Sequence, residues 1–226
     1  MLAIEQQKLN NILNDMLLLG QDALDINQKV LAILETEDLN AFSGIEKISK
    51  KSRAESIAKI DTQIINVFAL YTPEARDLRQ LVAFLKITNE FDRIMNSSYS
   101  FIRDFPHALS DEVDKKFILE YTIPLQKTCV NAISYALKLL SVEDKREVDE
   151  FYKIVVLEED KNDALYKIIE KSLLNKIHDD IHLFKEYQGI LSALRRLEKI
   201  ADRAMCIASL MHFAIIGGEI NRVKTR

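Results

Sequence analysis

Apolar positions recur at helical spacing through nearly the whole chain. Between residues 2 and 35, Ile12, Met16, Leu19, Ala23, Ile26, Val30 and Ile33 fall three or four apart, the stripe of one long amphipathic helix. Gly20 lies inside it and weakens it by about 1 kcal/mol relative to alanine. A polar turn around Glu35 to Asn40 leads to a second helix reaching Leu70, with Ile45, Ile48, Ile57, Ile60, Ile64 and Val67 inward. Thr72-Pro73 opens a third: threonine suits the cap, proline the first turn, and Glu74 and Asp77 the positive helix end. This helix runs to about Asp104, where Phe105-Pro106-His107 breaks it. Ser110 caps a fourth helix, about Asp111 to Leu140, which Pro124 should kink. Ser141 caps a fifth, with Asp144 three residues on, and it runs to about Lys176. The sixth starts near Asp179 or Asp180 and ends at the Gly217-Gly218 pair.

A piece of the third helix recurs in the sixth. Asp92-Arg93-Ile94-Met95-Asn96 lies over Glu198-Lys199-Ile200-Ala201-Asp202 at an offset of 106, which also puts Leu85 on Leu191 and Phe101 on Ile207. A chain with such a period reads as two similar units. The expected architecture is all-α, with six long helices forming two pseudo-symmetric antiparallel three-helix bundles, residues 1–107 and 108–226.

Composition agrees with long helices. Three prolines, five glycines and no tryptophan among 226 residues leave few turns. A net charge of −4 provides no electrostatic footprint for nucleic acid. Cys129 and Cys206 lie far apart with no CxxC pattern, which suits two buried, reduced thiols in the cytoplasm. The start, MLAIEQQKLNN, lacks the pattern of a signal peptide. The longest apolar run, Cys206 to Ile216, is broken by Ser209 and His212 and falls short of the ~18 residues a membrane span needs. Any membrane contact is therefore expected to be peripheral.

Candidate chemistry is carboxylate chemistry. Glu198 and Asp202 are four apart and share a helix face, as do Glu159 and Asp163 on the fifth helix. Arg195, Lys199 and Arg203 can pair with the first two as a surface salt-bridge face. Alternatively, two such pairs on antiparallel neighbours make an oxygen-rich cage for a hard or borderline cation. The first unit offers Asp61, Asp92 and the neutral Asn96, and Ile57 stands four before Asp61. His178 and His182 read HDDIH, a polar cap rather than a zinc motif. Arg76, Asp77 and Arg79 form a charged patch at the start of the third helix, a candidate docking or anion patch.

Pro73-Glu74-Ala75-Arg76-Asp77-Leu78-Arg79, then Asn89-Glu90-Phe91-Asp92-Arg93-Ile94, and the second copy Glu198-Lys199-Ile200-Ala201-Asp202-Arg203 together resemble the PhoU family of phosphate-transport regulators. Glu159 to Tyr166 resembles the matching part of that family's second unit. The resemblance implies two three-helix bundles whose ExxxD motifs bind metal, iron or zinc, through Glu159, Asp163, Glu198, Asp202, Asp61, Asp92 and Asn96. Asn96 replaces an expected aspartate and Ile57 an expected acid. It implies no enzyme but a cytoplasmic, homo-oligomeric adaptor that restrains phosphate uptake and phosphate-starvation signalling. Its implied partners are the ATPase of a phosphate ABC transporter and a membrane sensor histidine kinase; the charged patch of Arg76, Asp77 and Arg79 is expected to form part of the contact surface. Two other readings stand beside it. One is a metal-free helical adaptor of a low-affinity phosphate transporter. The other is a carboxylate-bridged metal enzyme, which the lack of any Glu-x-x-His disfavours.

Overall fold

The stripes fold as six α-helices in the computed structural model, which describes residues 2–73 and 75–217. They are α1 (Leu2–Thr36), α2 (Lys50–Tyr71), α3 (Ala75–Ala108), α4 (Lys115–Lys138), α5 (Lys145–Asp179) and α6 (Phe184–Ile216). Short 3-10 turns at Leu39–Gly44 and Ile181–Leu183 precede α2 and α6, and no strand occurs among the described residues. Phe42, in the first of these turns, is buried edge-on against Phe101 of α3, which ties the turn to the core.

Several helix ends differ from the expectation. Thr72 has φ 44° and ψ 58°, so it closes α2 in the left-handed region instead of capping α3. Glu74 and Gly218 lie outside the described residues. Pro106 does not break α3, which continues across it and closes two residues later at Ala108. Pro124 is held inside α4, which continues across it. Ser110 and Ser141 sit in turns, and the caps are aspartates. Asp114 accepts from the Phe117 N–H at 3.0 Å, and Asp144 accepts from the Arg146 and Glu147 N–H groups at 2.9 and 3.1 Å. A short carboxylate fixed just ahead of the first turn answers the helix dipole and one free amide at Asp114, two at Asp144, which a serine three or four residues upstream cannot reach. Asp144→Ala should therefore cost about 1 kcal/mol of stability. Urea unfolding checks this, and an unchanged midpoint would show that the cap adds nothing.

In each half the chain runs up, down and up. Asp15 of α1 meets Lys59 and Gln63 of α2, and Arg53 of α2 meets Asp92 of α3. In the same way Asn131 of α4 meets Glu158 of α5, and Asp149 of α5 meets His212 of α6. The halves join along α3 and α6, which lie antiparallel over their length. Arg79 reaches Ala214 at one end, Glu90 pairs with Arg203 near the middle, and Ala108 lies against Gly189 at the other end. The buried side chains of all six helices form one cluster, from Ile12 to Ile215. Some polar side chains inside it bond across helices. Asn27 of α1 donates to Ser98 Oγ of α3 at 3.0 Å and accepts from Gln126 of α4 at 3.1 Å. Such bonds fix the register between helices that apolar contacts alone would leave free to slide.

Candidate functional site

The two copies of the repeated motif sit on α3 and α6 and have different surroundings. On α3, Asp92 and Asn96 face α2, and the Arg53 side chain lies between them. Arg53 Nε donates to Asp92 Oδ1 at 2.8 Å, Nη2 to Asn96 Oδ1 at 2.6 Å, and Nη1 to the Ile48 carbonyl at 2.8 Å. Asn96 donates in turn to Asp92 Oδ2 at 2.8 Å. The Tyr99 ring covers the guanidinium at 5.5 Å, and the Tyr99 hydroxyl accepts from the Ile48 N–H at 2.9 Å. Arg53 is 3% exposed. Asp61 does not join this group. It stands nearer Thr88, its Oδ1 is buried without a hydrogen bond, and burial raises its carboxyl above the usual range while Thr88 works the other way.

On α6, Lys199 spans the motif it belongs to. Its ammonium lies 2.8 Å from Asp202 Oδ2 and 3.2 Å from Glu198. Burial pulls the Lys199 ammonium towards neutrality, but the hydrogen bond and charge of Asp202, then the charge of Glu198, outweigh it and the net shift is upward. Glu198 Oε2 is buried without a hydrogen bond, although the ammonium is close by. On α5, Asp163 pairs with Lys167 at 3.1 Å, and Glu159 one turn before it is half-buried. Tyr166 connects the two helices: burial, then the Glu170 carboxylate, pushes its phenol up to about 12, with Arg195 opposing and Glu198 adding.

These arrangements decide how a metal ion would fit. In the first half the oxygens of Asp92 and Asn96 already bind a buried guanidinium, so that set does not suit a metal. In the second half Glu198 and Asp202 already share the Lys199 ammonium, so a metal ion would enter only with Lys199 displaced. Among the described residues, no three acidic, histidine or cysteine side chains converge closely enough to hold an ion. Cys129 is buried, its thiol pushed far up by burial; Cys206 is only half-buried, with burial and then Glu90 raising it to about 11. His178 and His182 lie at the α5–α6 turn, and His182 faces Glu112 at 3.7 Å.

The charged patch at the start of α3 touches the second half. Arg79 Nε donates to the Ala214 carbonyl in the last turn of α6 at 3.3 Å, a cation at the negative helix end. Arg76 lies 3.6 Å from Glu143 in the α4–α5 turn, and Asp77 is half-buried in the first turn of α3. Part of the patch thus holds the two halves together. Arg53 was missed by sequence reasoning. Its signal was there: it stands four residues before Ile57, on the inward stripe of α2, where a charge demands a partner.

Known proteins supply an independent comparison. No family model matches the chain. It is 23% identical over 221 residues to the phosphate-specific transport system accessory protein PhoU homolog of Clostridium acetobutylicum, covering 96% of this chain and 97% of that protein. The homolog of the same name from Xylella fastidiosa strain 9a5c is 24% identical over 221 residues, with 94% and 87% covered. Among solved structures, PhoU from Pseudomonas aeruginosa superimposes with a TM-score of 0.74 at 18% identity, over 96% of this chain and 100% of that one. The phosphate transport system regulatory protein PhoU from Streptococcus pneumoniae gives 0.75 at 16% identity, over 95% and 98%.

Proposed function

We propose, from the premise that this chain is a PhoU-family protein in sequence and in fold, that it is a regulatory accessory protein of phosphate transport. The observation that carries the reading is full-length correspondence. Curated relatives and solved structures match across nearly the whole chain, with no large part of either left over. As a finer proposal, the protein restrains phosphate uptake and starvation signalling from the cytoplasmic face. It does so as a homo-oligomer that contacts a transporter ATPase and a sensor histidine kinase. No helix among the described residues is long and apolar enough to cross a membrane, which suits contact through such partners. The half-buried Arg76 and Asp77, held in place by the α4–α5 turn and the start of α3, are the proposed contact residues, with Arg79 setting their position. The role is regulatory and not catalytic.

Deleting the gene in its own host tests this directly. Phosphate uptake and starvation-gene expression should rise when phosphate is plentiful. Unchanged uptake and expression would sink the reading. An Arg76→Ala/Asp77→Ala variant that restores control as well as the wild type would sink only the placement of the contact.

A metal-dependent form of this function is a second reading, favoured by two carboxylates, Glu198 and Asp202, that share a single ammonium on α6. Glu159, Asp163, Glu198 and Asp202 would hold the ion, iron or zinc, and the ion would fix the α5–α6 surface. Elemental analysis of untagged protein should then show metal that Glu198→Ala/Asp202→Ala removes. Equal metal content in the two proteins counts against it.

A further inference from the structure

We infer that Arg53 is the resident cation of the Asp92–Asn96 pair, so that the α2–α3 contact is closed by the chain itself at the place where the family resemblance implies a metal ion. Each of the three guanidinium nitrogens donates one hydrogen bond within the protein. They donate to Asp92, Asn96 and the Ile48 carbonyl, and the Tyr99 ring lies over the guanidinium. A planar fork with fixed donors suits this better than an ammonium would, because three acceptors lie in three directions. Two of those acceptors are the oxygens that a metal would need. A divalent ion brought beside them would meet the buried guanidinium at close range, with no second carboxylate to offset the repulsion.

The internal repeat points the same way. The offset that lays Asp92 on Glu198 and Asn96 on Asp202 lays Arg53 on Glu159 and Ile57 on Asp163. Four carboxylates in the second half thus correspond to one carboxylate, one amide, one isoleucine and one arginine in the first. That first set is neutral overall, whereas the second carries four formal negative charges. One half needs an external cation to balance its motif, or lysines such as Lys199, and the other carries its own. The first-half contact is therefore permanent, independent of metal supply, and any metal response belongs to the second half. The inference does not depend on the phosphate reading.

Two measurements on the full-length protein test it. The first is zinc content per chain after loading with zinc and desalting, in wild type and Asp92→Ala. The second is hydrogen exchange of the amides of residues 50–56, with and without EDTA. The expected result is equal zinc in the two proteins, and wild-type exchange that EDTA leaves unchanged. Asp92→Ala should speed exchange of those amides about tenfold. Loss of about one zinc per chain in Asp92→Ala would overturn the inference. So would wild-type exchange that EDTA accelerates, a measurement that needs no variant to fold. Unchanged exchange in Asp92→Ala would also overturn it, since the clamp would then close nothing.

Discussion

Replacing Arg53 by methionine should destabilise the protein by about 3 kcal/mol, near the lower end for breaking a buried ion pair. For a chain of this size that lowers the melting temperature by about 9 °C. The size follows from who is left behind. Methionine fills much of the volume but leaves the Ile48 carbonyl and Asn96 Oδ1 without their donor and the Asp92 carboxylate with only Asn96 Nδ2. Asp92 keeps 33% of its side-chain surface in water, so part of its charge is rehydrated, and this holds the loss below the upper end of the range. Arg53→Lys should recover less than half of it, because one ammonium cannot span the three acceptors. Calorimetry of wild type, R53M, D92N and the double variant gives the coupling. A double variant whose loss equals the sum of the two single losses would show that Arg53 and Asp92 do not stabilise each other.

Gly20→Leu should cost about 3 kcal/mol, and Gly20→Ala about 1 kcal/mol, through overpacking. By helix propensity alone alanine should stabilise α1 by about 1 kcal/mol. Packing reverses the sign. A Cβ at Gly20 would stand 2.5 Å from Leu137 Cδ1 of α4 and 2.7 Å from Phe91 Cζ of α3. The leucine methyl can turn aside at small cost. The Phe91 ring is fully buried and has no free space to enter, so α1 must move away from α3 and α4. Thermal melts of G20A and G20L check this. A G20A protein that melts above the wild type would mean that propensity wins and that the three-helix contact is looser than the structure shows.

The consequence for function lies in the difference between the halves. A chain that closes its first half with an arginine has removed one place where metal supply could act on its shape. If regulation responds to metal at all, the response has to come through α5 and α6, where Lys199 is the internal competitor. Arg79 and Arg76 add that the start of α3 is held by the second half, so a change at the end of α6 reaches the proposed contact residues directly.

The sequence by itself determined the helices, their order and the repeat, because apolar spacing and the 106-residue offset are local or simple periodic properties. It carried a resemblance to the PhoU family, because the Pro73-to-Arg79 segment is specific enough for that, which the acidic pairs alone are not. It also singled out Asp92 with Asn96 on one helix and Glu198 with Asp202 on another, and named Lys199 beside the second pair. Which cation meets the first pair was decided only by the tertiary structure. Arg53 is about forty residues from Asp92 in the chain, and only the packing of α2 on α3 brings them together. The same holds for Gly20, whose local cost is visible in sequence while its reason, the meeting of α1, α3 and α4, is not. The caps moved from serines to aspartates for a related reason: several residues could start each helix, and the turn geometry selected the one whose side chain reaches the free amides. Spacing along one helix fixes which side chains share a face. What that face meets depends on helix neighbours, and these are chosen by the core as a whole.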